Sequence, residues 1–463
     1  MTKRVKAKAR RSRGNAGAVW GAALAGSLAT AAALSAGFAT SSAVDRETFR
    51  QLDLFGEVFE KVHANYVMEP EDAELIEGAI DGMLARLDPH SSYLSPGDYR
   101  SMQDATRGQF AGLGISVTMD TEGPAEGFVR VVSPIQDTPA ARAGIVAGDL
   151  ITAIDGEAVR SGTLDDAISK MKGPRGTDVT LTIMREGEDE RFDVSLTRDI
   201  ITVPSVTSRV EGDEYAYVRI NTFSEQTFAQ LKKSLKDARK EIGMEPRGLV
   251  LDLRSNPGGL LDQAVAVSDF FLDRGEIVST RGRRAKDTMR EMGSTRDQFD
   301  NRPVVVLIDA GSASASEIVA GAIQDRKRGL VLGTRSFGKG SVQTVLPLRG
   351  GVDGALRLTT ARYYTPNGRS IQATGIEPDI WMPIVRPGSE PLERRSEADL
   401  PNALDVPSDV EELPAETRDL DDPLAGPDVE PVECPIGRDC QLERAIELLR
   451  DQQAYTRTLA SAN

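Results

Sequence analysis

A chain of 463 residues with 40% hydrophobic composition is long enough for two or three domains with buried cores, which excludes a wholly disordered polypeptide. Its formal net charge of −15 argues against nucleic-acid binding, because phosphate recognition needs a basic footprint. The N-terminus breaks that balance: positions 3–13 carry seven Lys or Arg and no acid, and Gly14 to Val44 holds no charge at all. Residues 1–44 therefore read as a secretory signal or an N-terminal membrane anchor, with small-residue cleavage patterns at Gly37-Phe38-Ala39 and Ser41-Ser42-Ala43. Cleavage and retention both stay open, but either way the rest of the chain is expected to be exported, facing a periplasm or an equivalent space. Residues 45–105 read as helices, with Leu52, Phe55, Val58, Phe59 and Val62 on one stripe and Leu75, Ile76, Ala79, Ile80, Met83, Leu84 and Leu87 on another. The turn Leu87-Asp88-Pro89-His90-Ser91 closes the second, and His90 beside it reads as a capping or packing residue rather than a catalytic one.

From 106 to 198 the pattern changes to short strands and glycine turns: Phe110-Ala111-Gly112-Leu113-Gly114-Ile115, Phe128-Val129-Arg130-Val131-Val132, Gly148-Asp149-Leu150-Ile151 and Ile154-Asp155-Gly156. This series resembles a PDZ domain. On that resemblance the amides of Gly112, Leu113, Gly114 and Ile115 form a nest for a terminal carboxylate, and the strand after them accepts an extended peptide. The plainer reading is that the two glycines only permit a tight turn.

Residues 199–385 alternate strands and helices, which implies an α/β core with sites at strand ends. Tyr215–Ile220 leads to an amphipathic helix over Glu225–Ile242, and Gly248–Leu253 runs into Arg254-Ser255-Asn256-Pro257-Gly258-Gly259; Arg254 and Asn256 either shape that loop or are buried structural polar groups. Val304–Ile308 is a buried strand, followed by Gly311-Ser312-Ala313-Ser314-Ala315-Ser316-Glu317 and a helical apolar pattern. A strand-to-helix turn of this kind can present a serine nucleophile, with the helix start directing free N–H groups at an oxyanion; it can equally be a Ser-rich cap with Glu317 in the first turn. Lys339, twenty-five positions after Ser314, lies between two glycines, and Gln343 shares its face at strand or helix spacing. A desolvated, neutral Lys339 can act as a base, whereas a solvated one is only a surface loop residue. His63 and His90 are the only histidines, both far upstream, so a Ser/Lys pair is more economical than a Ser-His-Asp triad.

Residues 386–433 hold eight prolines and fifteen acids against four arginines, which reads as a disordered or loosely packed acidic linker. In 434–463, Gln441–Leu449 forms a short amphipathic helix able to dock on the body. Cys434 and Cys440 are the only cysteines; a small-loop disulfide is favoured over free thiols, and a zinc site would need two further ligands.

Ser-Ala-Ser-Ala-Ser-Glu-Ile at 312–318, Phe-Gly-Lys-Gly at 337–340 with Gln343, and Asn-Pro-Gly-Gly-Leu at 256–260 together resemble the carboxyl-terminal processing (tail-specific) serine peptidases over roughly residues 45–385. The resemblance implies a multidomain α/β protein with a peptidase core, a small PDZ β-sandwich or barrel-like domain and an N-terminal helical segment used for structure and oligomerisation. It assigns Ser314 as nucleophile, Lys339 as general base, Gln343 as the residue that orients it, and backbone amides of Ala315 and of Gly258 or Gly259 as the oxyanion hole. It implies protein substrates with exposed apolar C-termini, a homo-oligomer, room for an adaptor or activator protein, and no metal or organic cofactor. Two other classes compete: a silent PDZ scaffold, which should have lost Ser314 or Lys339, and a crotonase-like acyl-CoA enzyme, which has no use for either.

Overall fold

Alternate residues of the two central strands, Gly248–Asp252 and Val304–Ile308, project to opposite faces, and every one of them is buried. Such strands fit the middle of a sheet covered on both sides. The computed structural model describes residues 46–120, 125–160, 162–188, 190–294, 296–388, 395–406 and 429–462. The signal or anchor expected over 1–44 lies outside them, as does much of the acidic linker. The strands run Val206–Glu211, Tyr215–Ile220, Gly248–Asp252, Val304–Ile308, Leu330–Gly333 and Ile380–Trp381 across the sheet, with the first pair antiparallel and the others parallel. On one face Leu249, Leu251, Val304 and Val306 pack with Leu231, Phe271 and Ile318 from the helices Thr227–Ile242, Leu261–Phe271 and Ala315–Asp325. On the other, Val250, Val305 and Leu307 meet Leu442, Ile446, Leu449 and Tyr455 from the helices Cys440–Arg450 and Gln452–Ser461. The C-terminal segment is thus the second cover of the sheet, joined at its start by a bond between Cys434 and Cys440.

A second sheet is antiparallel and centres on Ala355–Tyr364. Ser341–Pro347 pairs along one edge of that strand, while Ser92–Leu94 and Gly275–Gly282 share the other. The expectation of helices throughout 45–105 therefore needs correction: a strand of three residues, too short to show periodicity, separates the helices Asp72–Leu84 and Pro96–Thr106.

The segment resembling a PDZ domain forms its own sheet in the order Ile115–Met119, Val129–Pro134, Leu150–Ile154, Asp178–Met184, Phe192–Thr197, around a core of its own. Ile115–Met119 is an edge strand of that sheet. Gln109–Gly112 and Asp199–Thr202 pair antiparallel at the neck where the chain enters and leaves the domain.

The chain divides into two units, residues 1–78 and 79–463. In the first, Phe49, Leu52, Phe55 and Val58 on the helix Arg46–Asn65 are each about half exposed, so the expected apolar stripe is present and faces solvent in the single chain. Among the described residues no helix is long and apolar enough to cross a membrane.

Candidate active site

The turn after Val304–Ile308 is fixed by hydrogen bonds that commit two of its three serines. Ser312 Oγ donates to Leu253 O at 2.8 Å, and Ser316 Oγ donates to Asn256 O at 3.0 Å. Ser314 Oγ, among the described residues, donates to no acceptor; it shares a capping box with Glu317, facing that residue's backbone N–H. The Ser314 backbone sits at φ 54°, ψ −111°, a sparsely populated region for a residue with a Cβ, costing roughly 1–3 kcal/mol that the surrounding fold must supply. Strain of this kind accompanies a sharp strand-to-helix turn that presents a serine hydroxyl. Ala315 is the first residue of the following helix, so its N–H belongs to the unpaired first turn, and no group among the described residues accepts from it.

The loop Asn256-Pro257-Gly258-Gly259 lies directly against this turn. Ala313 N–H donates to Asn256 O at 3.0 Å. A Cβ on Gly258 would stand 2.8 Å from Ala313 O and 2.9 Å from Ser314 Cβ, and one on Gly259 would stand 2.2 Å from Phe223 O. Neither position admits a side chain. The Gly258 N–H is already spent, donating to Asn256 Oδ1 at 2.9 Å, while Asn256 Nδ2 donates to Ile220 O at 2.8 Å. Of the two glycines, Gly259 is therefore the one whose N–H, like that of Ala315, meets no acceptor among the described residues. Asn256 shapes the loop from inside. Arg254 instead points to the C-terminal segment, donating to Asp252, Asp439 and Gln441.

Lys339 reaches the same place from the other side. Gly340 is required by close approach, since a Cβ there would stand 2.2 Å from Gln372 N. Lys339 Nζ donates to Gln343 Oε1, and Gln343 Nε2 donates to Ser341 Oγ at 3.0 Å and Thr359 Oγ1 at 3.2 Å. Burial pushes the Lys339 amine below the ordinary lysine value, assisted by Arg357 and opposed by the carboxylates of Glu397, Glu317 and Asp88. Ser314 Oγ and Lys339 Nζ are not hydrogen-bonded to one another in this arrangement.

Sequence reasoning gave Glu317 only a place in a helix first turn, yet it joins the two halves of the site. It is fully buried. Its Oε1 accepts from Ser336 Oγ at 2.6 Å and Gly338 N–H at 2.7 Å, and its Oε2 from Ser314 N–H at 2.6 Å and Lys339 N–H at 3.0 Å. The backbone nitrogens of Ser314 and Lys339 thus share one oxygen. Burial raises this carboxyl to about 7, with the four donors pulling the other way. The acidic segment after the core is also not wholly loose. Glu397 is fully buried, accepting from Gln372 Nε2 at 3.1 Å and meeting His90 Nε2 at 2.8 Å, because a carboxylate with partners can enter an interior that its composition alone would exclude.

At the proposed tail-binding loop, Leu113 is buried and its carbonyl accepts from Ala140 N–H at 3.0 Å. The N–H groups of Leu113 and Gly114 find no acceptor among the described residues, while Gly112 belongs to the neck ladder and Ile115 opens the edge strand. No three His, Cys, Asp or Glu side chains among the described residues group closely enough to hold a metal ion.

Three family models match the chain: one described as peptidase family S41 over residues 214–382, one as a PDZ domain over 111–196, and one as the N-terminal domain of the activating protease CtpB over 14–96. A carboxy-terminal-processing protease of Bartonella bacilliformis is 54% identical over 337 residues, covering 73% of this chain and 76% of that protein. A probable CtpA-like serine protease of Staphylococcus aureus strain N315 is 33% identical over 342 residues, covering 73% of this chain and 66% of its own length. Among solved structures, a photosystem II D1 C-terminal processing protease is similar at 32% identity and a TM-score of 0.42, over 71% of this chain and 92% of that one.

Proposed function

Given that the chain belongs to peptidase family S41, as a carboxy-terminal-processing serine protease with a PDZ domain, we propose that Ser314 and Lys339 carry the chemistry and that the PDZ domain selects substrates by their C-terminal tails. Ser314 Oγ attacks the scissile carbonyl carbon while its proton passes to neutral Lys339 Nζ. The oxyanion is received by the N–H groups of Gly259 and Ala315. Collapse breaks the C–N bond, the lysine ammonium protonates the departing amine, and the acyl-enzyme is hydrolysed by a water that Lys339 deprotonates in turn. The side chain of Lys339 has to close on Ser314 for the first step, and the common anchor at Glu317 Oε2 keeps their backbones near enough for a side-chain swing to do so. Gln343 accepts one amine hydrogen and so leaves the lysine lone pair for the serine proton.

The observation that carries this reading is a strained serine whose hydroxyl hydrogen is uncommitted, flanked by two amides that meet no acceptor among the described residues. For substrate selection, the free amides at Leu113 and Gly114 beside the edge strand Ile115–Met119 suit a terminal carboxylate followed by an added β-strand. The basic, then uncharged N-terminus supports export with the catalytic part on the periplasmic side, either released or held at the membrane.

The test is peptide cleavage by Ser314→Ala and Lys339→Arg. Both should abolish turnover at an unchanged melting temperature, since arginine stays charged and cannot accept the proton. In the wild type, kcat/KM should rise with an apparent pKa below the free-lysine value of about 10.4. Substantial cleavage by well-folded Ser314→Ala protein would defeat the assignment.

A further inference from the structure

The turn Leu87-Asp88-Pro89-His90-Ser91 is joined to the lysine by side chains that the mechanism above does not use. Thr359 lies on the central strand Ala355–Tyr364, directly opposite Gln343 across the ladder. On the other edge of that strand, residues 355–357 pair with Ser92–Leu94 and residues 361–364 with Gly275–Gly282, which leaves Thr359 facing the gap between the two ladders. Asp88 fills this gap. It is 4% exposed, and its Oδ1 accepts from Thr359 Oγ1 at 2.9 Å, from His90 N–H at 2.9 Å and from Ser91 N–H at 3.0 Å. Ser91 Oγ donates to Asp88 Oδ2 at 2.7 Å and accepts from Thr359 N–H at 3.1 Å, so the strand and the turn are tied at two points.

We propose that Asp88 and Thr359 are positioning residues for the catalytic lysine, acting through Gln343. The inference rests on the assignment of Lys339 as base. A hydroxyl and an amide can each turn either way, so a chain of them has a direction only if one end is fixed. An ionised carboxylate only accepts and therefore fixes it. Thr359 must give its hydrogen to Asp88, which leaves its lone pair for Gln343 Nε2; Gln343 must then present Oε1, not its amide nitrogen, to Lys339. Reversed, the amide would aim N–H groups at the amine and claim the lone pair that the serine proton needs. The carboxyl of Asp88 is suited to this end. Burial works to raise it, but the hydrogen bonds from Ser91, His90 and Thr359 prevail and hold it below the ordinary aspartate value.

The experiment compares full-length Thr359→Val, Thr359→Ser and Asp88→Asn with wild type, reading kcat and KM on an unstructured protein substrate, the rate of Ser314 labelling by a fluorophosphonate, and the melting curve. Valine keeps the shape of threonine and removes the relay, and a misplaced base costs on the order of 100-fold. Thr359→Val should therefore lose about 10- to 100-fold in kcat and in labelling rate, with KM within about threefold of wild type. Thr359→Ser should restore most of that loss, and the Asp88→Asn/Thr359→Val double variant should fall no further than Thr359→Val, because members of one chain are not additive. Should Thr359→Val fail to fold, Asp88→Asn carries the test alone through the same fall in kcat at unchanged KM. Wild-type kcat in folded Thr359→Val, an equal loss in Thr359→Ser, or strictly additive losses would overturn the relay. Lys339→Ala separates the two claims: if it still turns over, the base assignment has failed, whereas if it is dead and Thr359→Val is fully active, only the relay has.

Discussion

Glu317 places a buried acid where the site most needs an acceptor, and its energetics set stability against order. The anion accepts all four surrounding donors, whereas a protonated carboxyl would need one of those directions for its own hydrogen. Its value in the fold, about 7, lies above the ordinary 4.5 that an unfolded chain would show. Between those two values the folded state holds the proton that the unfolded state has released, so stability from this group is fully present below about 4.5 and is lost as pH rises to about 7. The shift corresponds to about 3 kcal/mol. Urea melts of the wild type from pH 4 to 8 should show this decline, and Glu317→Gln should lack it while also losing most activity, since its amide nitrogen brings N–H groups against donors. An identical pH slope in the two proteins would show that Glu317 does not titrate in this range. The contribution of Glu317 to stability is thus smallest where its anion best assembles the site, a trade common to strained catalytic centres.

At the level of elements, the helix Cys440–Arg450 supplies the apolar cover for one face of the sheet, with Leu449 only 5% exposed. Leu449 also lies so close to Gly248 that a Cβ there would stand 3.0 Å from its Cδ2. Leu449→Ala should therefore cost about 2–4 kcal/mol, read as a fall in the urea midpoint at constant m-value. A change below about 0.5 kcal/mol would mean that the helix does not hold the sheet. That helix was visible in the spacing of Leu442, Ile446 and Leu449, as was the buried strand in Val304–Ile308, because both signals are local. The motif serines and Lys339 were visible too, but only the resemblance singled out Ser314 among three; the committed hydroxyls of Ser312 and Ser316 support that proposal. What stayed hidden depends on partners remote in sequence. Glu317 looked like an ordinary first-turn acid because three of its donors lie 19 to 22 positions later. Glu397 and Asp88 find their partners across 307 and 271 positions, and no periodicity encodes such pairs.

For the whole molecule the question is whether the PDZ domain only tethers a substrate or also gates the site. The neck is bonded to the core beside the proposed oxyanion loop: Glu225 N–H donates to Thr106 O at 3.1 Å, and a Cβ on Gly108 would stand 2.8 Å from Ser224 Oγ. The adjoining Phe223 holds that loop, donating to Gly258 O at 2.9 Å and accepting from Leu260 N–H at 2.8 Å. A tail that binds one placement of the domain better than another would shift this contact by its differential affinity. One unstructured substrate with a free or an amidated C-terminus, plus a separate tail peptide, decides the matter. A gate predicts that low peptide concentrations accelerate cleavage of the amidated substrate; inhibition at every concentration, with equal kcat for both substrates, would leave only a tether. The neck has a further consequence. Because Gln109–Gly112 and Asp199–Thr202 lie side by side, the chain leaves the core and returns to it at one spot, about 5 Å apart. The domain between is a cassette: another module whose ends meet at that spacing could be spliced in without rerouting the catalytic fold, so, on the role proposed for the domain, evolution or an engineer can rewrite which proteins are cut while the cutting machinery stays as it is.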